Sequence, residues 1–263
     1  MVVINASGDK LMSDLKIAVS LNDVSLARSG VVHLQDITVD FPAATHTVIL
    51  GENGSGKSTL LDVISGDLNS DHGTVSILGK DLQSYTLPEL AIHRAYLKQH
   101  QGLGFDLSVF DVVKLGAINT EVNRDALVGA VLQALGLESL RDQLYPNLSG
   151  GEKQRVQIAR VLTQCWPAEN QICLLDEPMS SLDIRHQLHL LKLLKRLTRQ
   201  GLTLVSVMHD LGLAQQEADF VFFIKTGKSI GFGPVREVFN HENVQKTFGV
   251  GWPLVTSDEK LQT

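Results

Sequence analysis

Apolar residues in this chain follow two rhythms. Between Lys16 and Phe41 they alternate with polar ones: Ile37, Val39 and Phe41 point one way, Thr38 and Asp40 the other, the period of a half-buried strand. The turn Ala27-Arg28-Ser29-Gly30 divides that region into strand-like segments. Val48-Ile49-Leu50 is a short, wholly apolar strand, and Thr59 to Ser65 continues as a helix beyond a glycine-rich loop. The middle of the chain, Phe110 to Gly136, reads as helical. There Leu127, Val131 and Leu135 recur at every fourth position with Val128 and Leu132 beside them, one apolar face. A second helix follows Gly151. Ile172 to Leu175 is a buried strand ending in Asp176, and Arg185 to Arg199 is a helix carrying Leu188, Leu190, Leu191, Leu193, Leu194 and Leu197. Thr203 to Met208 is a further strand, and Phe220 to Ile224 starts a hairpin that turns near Thr226-Gly227. Strands alternating with helices predict a largely parallel sheet, with the helical middle as an inserted lobe. Residues 1–15, polar and mixed, read as a poorly ordered tail, and no internal repeat or low-complexity segment is present.

Composition narrows the classes. The 263 residues are 43% hydrophobic and 20% charged, an ordinary balance for a chain that buries a substantial core. A net charge of −6 argues against a general nucleic-acid binder, which needs a basic footprint. No apolar run approaches the roughly 18–20 residues that cross a bilayer, and Met1 to Lys10 lacks the basic-then-apolar pattern of a signal peptide. The expectation is a cytosolic chain that reaches any membrane through a partner. Its two cysteines, Cys165 and Cys173, have neither the spacing nor the neighbours of a metal or redox site, and Cys173 reads as a small buried hydrophobe.

Two separated sequences carry the chemistry. Gly51-Glu52-Asn53-Gly54-Ser55-Gly56-Lys57-Ser58-Thr59 fits a phosphate loop, in which backbone N–H groups cradle a nucleoside triphosphate. The strand before it and the helix after it are the context that motif requires. Lys57 is then expected on the β- and γ-phosphates and Ser58 on Mg²⁺. Asp176 ends a buried strand, so its carboxylate emerges at the carboxyl edge of the sheet, where ligands bind, in place for a magnesium contact. Glu177, beside it, stands in position to polarise an attacking water. The second sequence, Leu148-Ser149-Gly150-Gly151-Glu152-Lys153-Gln154-Arg155, leads two glycines into a helix start and is itself a potential phosphate site. A chain with one triphosphate loop has use for a second when that second serves a nucleotide on a neighbouring copy.

These paired motifs resemble those of ATP-binding cassette ATPases, and the likeness runs from about Lys16 to Gly233. The resemblance implies an α/β fold: a P-loop NTPase core with a mostly parallel sheet, an N-terminal antiparallel β subdomain and an inserted helical subdomain at about 100–160, all within one domain spanning 16–263. It implies ATP and Mg²⁺ as cofactors. His209 matches the switch histidine that contacts the γ-phosphate. Gln99 matches the glutamine that joins the nucleotide site to the helical lobe and touches magnesium and water. Asp183, in Ser181-Leu182-Asp183, matches the aspartate that faces the opposite subunit, and Ser149, Gly150 and Gly151 match the loop that holds the partner's γ-phosphate. Two positions depart from the family pattern: Glu152 stands where Gln is usual, and the adenine-stacking aromatic is missing from Leu26-Ala27-Arg28-Ser29, leaving the planar guanidinium of Arg28 to meet the base.

Among cassette proteins, a stand-alone ATPase docking on separate permease subunits is the reading that remains. Thr59 to Leu148 leaves no room for a coiled coil, one cassette is present, and fused membrane helices are absent. A soluble cassette regulator or nucleic-acid factor is the alternative from another class. Arg94-Ala95-Tyr96-Leu97-Lys98-Gln99-His100 and Phe110-Asp111-Val112-Val113-Lys114-Leu115-Gly116, with Ala159-Arg160-Val161-Leu162-Thr163-Gln164, look like the ATPases of bacterial importers for hemin, ferric siderophores and cobalamin. Cys165-Trp166-Pro167-Ala168-Glu169-Asn170-Gln171 is most similar to the hemin members. The resemblance thus implies a homodimer at the cytoplasmic face of the bacterial inner membrane, bound to membrane-spanning permeases and, through them, served by a periplasmic binding protein.

Overall fold

In the computed structural model, which describes residues 15–99, 106–118, 123–166 and 169–252, the alternating N-terminal segment folds as a hairpin. Its strands, β1 (Ile17–Arg28) and β2 (Val31–Pro42), meet at Ser29-Gly30, and Ile37, Val39 and Phe41 are buried while Thr38 and Asp40 are exposed. β3 (His46–Leu50) is buried along its whole length and runs through the glycine-rich loop into α1 (Lys57–Ser65). β4 (His72–Ile77), β5 (Lys80–Asp81) and α2 (Leu87–His93) lead to β6 (Arg94–Leu97). α3 (Val109–Lys114), α4 (Arg124–Ala134) and α5 (Gly150–Gln164) precede β7 (Ile172–Asp176). The chain closes with α6 (Ile184–Arg199), β8 (Thr203–Val207), α7 (Leu211–Glu217), β9 (Phe220–Lys225), β10 (Lys228–Pro234), α8 (Val235–Val238) and α9 (His241–Phe248).

Two sheets result. The larger has the order β10-β9-β3-β8-β7-β6 and is parallel except for β10; the smaller, β2-β1-β4-β5, is antiparallel. α1 lies between them. Its Leu60, Leu61, Val63 and Ile64 share a core with Ile37, Phe41 and Val75 of the small sheet and Ile49, Val205 and Phe222 of the large one. On the opposite face of the large sheet, Cys173, Leu175 and Leu204 pack with Val156, Ile158 and Leu162 of α5 and Leu190 and Leu194 of α6. Because β7 is covered on both faces it is apolar from Ile172 to Leu175, Ile172 and Leu174 serving one core and Cys173 and Leu175 the other. Burying each such side chain contributes about 1.5–3 kcal/mol. Both cysteines are buried free thiols.

The structure corrects the sequence reading in one place. Phe110 to Gly136 is not continuous helix: α3 ends at Lys114, Leu115 to Ile118 turn, and Asn123 caps a new start to α4. The cause is close packing. The turn presses Gly116 on α5 so tightly that a Cβ there would collide with the Arg160 carbonyl oxygen. On α6, Leu188 does not join the buried face with the other leucines but remains 48% exposed. Residues 1–14 of the expected tail, His100 and the Pro167-Ala168 pair lie outside the described residues.

Candidate active site

β3 delivers the chain from the middle of the sheet to Gly51, and the loop through Asn53, Gly54 and Ser55 turns at Gly56 into α1. Gly56 has a φ of 106°, and a Cβ there would stand 2.6 Å from the His33 carbonyl oxygen of β2. Only glycine lets the loop take that conformation at that distance. Lys57 opens α1 and is almost fully buried; its Nζ donates to the carbonyl oxygens of Gly51 at 2.9 Å and Glu52 at 2.8 Å. Burial holds its ammonium pKa below the ordinary lysine value, against the pull of Glu177 and Asp176. Ser58 and Thr59 follow in the first turn. The helix N-terminus, with its unpaired N–H groups and a cation at the loop mouth, is built to receive an anion.

Three neighbouring strands, in the order β8-β7-β6, end beside this loop. Asp176 closes β7, 2% exposed, and its Oδ1 has no hydrogen-bond partner. Burial pushes its carboxyl above the ordinary range, with a hydrogen bond from Ser58 opposing. A buried carboxylate oxygen left unpaired beside a hydroxyl calls for a partner. Together with the side-chain oxygen of Gln99, the set is all-oxygen and fits Mg²⁺.

Glu177 adopts a φ of 49°, left-handed and uncommon for a residue with a Cβ, at a cost of about 1 kcal/mol or more. That turn aims its carboxylate between two other strand ends. Oε2 accepts from Gln99 Nε2 at 2.9 Å, just past β6, and Oε1 lies 2.6 Å from His209 Nε2, just past β8. Three residues scattered over more than a hundred positions thus meet at one carboxylate.

The second motif stands apart. Ser149 caps α5, and Glu152 reaches back to it: Ser149 N and Oγ donate to Glu152 Oε2 at 2.8 and 2.6 Å. Those bonds hold the Glu152 carboxyl below its ordinary range. Gly150 is open to solvent on its Cβ side, while Gly151 lies against the Ser181 carbonyl, 2.9 Å from a Cβ placed there. Asp183 caps α6, accepting from His186 N at 2.9 Å. Ser149 to Gly151 and Asp183 therefore share one surface. No hydrogen bond or ion pair among the described residues joins that surface to Lys57. Arg28 ends β1 exposed, and the contact of its hairpin with the phosphate loop runs instead through His33 and Leu34.

Sequence reading passed over one group near the site. Arg94, Tyr96 and Lys98 alternate along β6 and its exit, and all three reach the C-terminal half of α1 and the residues after it. Tyr96 Oη donates to Asp62 Oδ1 at 3.1 Å, Lys98 Nζ pairs with Asp62 at 3.1 Å and Asp67 at 2.9 Å, and Arg94 binds the Ser65 carbonyl and approaches Asp67 at 3.7 Å. The alternation was visible in the sequence; its partners were not.

Residues 34–180 match the family described as ABC transporter. The chain belongs to that family. It is 39% identical to the hemin import ATP-binding protein HmuV of Rhodopseudomonas palustris over 88% of both chains. To the protein of that name from Photobacterium damselae subsp. damselae it is 35% identical over 93% of both. It superposes on the structure of cbiO1 from Clostridium perfringens, part of the ABC transporter complex cbiONQ, with a TM-score of 0.72 at 29% identity, covering 88% of this chain and 94% of that one. A bacterial ABC transporter cassette of dimeric structure, MJ0796, gives 0.74 at 26% identity over 83% of this chain and 99% of that one. This ABC protein binds ATP and is an ATPase. No helix among the described residues is long and apolar enough to cross a membrane.

Proposed function

We propose that this ABC ATPase powers a bacterial importer whose cargo is hemin, working at the cytoplasmic face of the inner membrane on permease subunits fed by a periplasmic binding protein. The observation that carries the hydrolytic part is the Glu177 carboxylate, held between Gln99 and His209 beside buried Asp176 and Lys57. Lys57 and the loop N–H groups of Gly51, Asn53, Gly54, Ser55, Gly56 and Thr59 bind the triphosphate. Ser58, Asp176 and Gln99 hold Mg²⁺, which when bound neutralises charge on the phosphates. Glu177 orients water and takes its proton, and His209, already bound to Glu177, turns its N–H toward the γ-phosphate. Arg28, exposed at the end of β1, stacks its guanidinium on the base.

Ser149, Gly150, Gly151 and Asp183 serve the nucleotide of a second copy placed head to tail. What supports this is their shared exposed surface with no bond to their own phosphate loop. The stretch of about 100–160 acts as a helical lobe of the single domain, and a permease helix docks in the groove from Gln99 to Lys114. Of that groove 100–105 lie outside the described residues, and Lys114 is paired with Asp125 at 2.7 Å.

Hemin rests on the curated relatives, which are named for hemin import at 35–40% identity. Reconstitution of the chain with its permease and binding protein tests it. Hemin-loaded binding protein is expected to stimulate ATP hydrolysis; stimulation by a siderophore- or cobalamin-loaded one instead overturns the choice of cargo.

A further inference from the structure

Gln99 sits where the fold gives it little support. Among the described residues β6 is the edge strand of the large sheet, bonded on one side to β7 and on the other to no strand of that sheet. An edge strand frays at its end more readily than a central one. Yet Gln99 must hold its amide 2.9 Å from Glu177, and small displacements of such contacts are costly in rate.

A second anchor comes from the face of β6 that looks at α1. Arg94, Tyr96 and Lys98 occupy alternate positions, so their side chains leave on one side of the strand. Lys98, the residue immediately before Gln99, is clasped by two carboxylates, Asp62 within α1 at 3.1 Å and Asp67 just after it at 2.9 Å. Tyr96 adds a hydrogen bond to the same Asp62, and Arg94 ties the strand's start to the Ser65 carbonyl. Lys98 keeps only about a third of its side chain exposed, at 36%, and its two carboxylates 24% and 37%. Burial opposes its charge, but its bonds to Asp67 and Asp62 outweigh that and hold the ammonium pKa above the ordinary value. Isolated surface ion pairs contribute little, but a network with shared, partly buried partners can fix a geometry. α1 begins at Lys57, so the clasp binds Gln99 to the helix that carries the phosphate loop.

We propose that Lys98 is a positioning residue for hydrolysis: its paired grip on Asp62 and Asp67 locks the end of β6 to α1 and sets Gln99 against Glu177. This rests on the reading of Gln99 and Glu177 as catalytic. The test is steady-state ATPase kinetics of the full-length chain carrying Lys98→Met, Lys98→Arg, Gln99→Ala, the Lys98→Met/Gln99→Ala pair, and Lys80→Met as a surface control. Lys98→Met is expected to lower kcat about tenfold with KM for ATP within about twofold, Lys98→Arg to recover most of it, and Lys80→Met to match the parent. In the Gln99→Ala background, Lys98→Met should change kcat by less than about twofold, because the contact it positions is gone. Equal losses in both backgrounds, or a lowered melting temperature with unchanged kcat, overturn the proposal. If Gln99→Ala itself hydrolyses at the parent rate, the catalytic reading fails; if it slows while Lys98→Met does not, the positioning role alone fails.

Discussion

The phosphate-loop half of this site and the Ser149 half are built on opposite plans. In the first, Lys57 and Glu177 are gripped from within the chain, and Asp176 is buried with one oxygen still unpaired. Lys57 is held by two carbonyls, Glu177 by Gln99 and His209, and Asp176 lies buried beside Ser58. The second is open: Ser149 and Asp183 are exposed helix caps, satisfied by their own first turns and by nothing from the first half. A buried ion must be paired where it stands, whereas a cap at the surface can exchange its local bond for a ligand's. The contrast teaches that one half is largely held by its own chain, while the other leaves its caps open at the surface.

The largest expected effect breaks the first half alone. Glu177→Gln keeps the shape and removes the base, so turnover should fall by about 10²–10⁴-fold while ATP still binds. Size-exclusion chromatography with ATP should then show a trapped dimer. Hydrolysis at the parent rate sinks the role of Glu177, and a monomer under all conditions sinks the head-to-tail site.

Ser149→Arg attacks the other half. If that surface meets a partner's nucleotide, turnover drops about 10²-fold, the scale of losing a donor to developing charge. Binding of a fluorescent ATP analogue to the monomer should stay within about twofold of the parent, because Lys57 and its loop are untouched. Loss of monomer binding would mean that the two halves act within one chain.

A pH scan separates both halves from the sheet that carries them. His46, at the opposite end of β3, is buried with Nε2 2.7 Å from Ser206 Oγ and Nδ1 3.3 Å from the Glu217 carbonyl. The carbonyl can only accept, so Nδ1 carries the proton and Ser206 donates to Nε2. Burial lowers the His46 pKa from 6.5 to about 4. The unfolded chain therefore takes up a proton that the folded chain refuses as pH falls below 6.5. Stability from this group is complete above about 6.5 and drains away down to about 4, by about 3 kcal/mol in all. Urea unfolding at pH 7.5 and 5 should show part of that loss in the parent and little of it in His46→Gln. Equal losses in both would place the pH sensitivity elsewhere.

The smallest effect sharpens the contrast at Glu152. Its carboxylate holds the Ser149 hydroxyl, the site proposed for a partner's phosphate, and like charges repel. Glu152→Gln should tighten the ATP-dependent dimer a few-fold, measured by sedimentation, at a stability cost of about 0.5 kcal/mol from the weakened cap. A weaker dimer would show that the carboxylate assists rather than competes.

Local pattern was enough for much of this. Apolar alternation placed β2, short apolar runs placed β3 and β7, and an apolar face at every fourth position placed α4, because burial on one or both faces leaves a pattern that a sequence displays directly. The glycine-lysine-serine run announced a phosphate loop for the same kind of reason: a tight turn before a helix admits few residues. A single close approach defeated the reading at Gly116, where the limit is set by Arg160 of a helix more than forty positions away, and no periodicity records such a neighbour. Asp62, Lys98, Gln99, Glu177 and His209 are individually ordinary polar residues. Only the strand order β8-β7-β6, with α1 laid across its face, decides that they meet, because contacts between residues distant along the chain are chosen by how the layers pack and not by what stands beside each in the sequence.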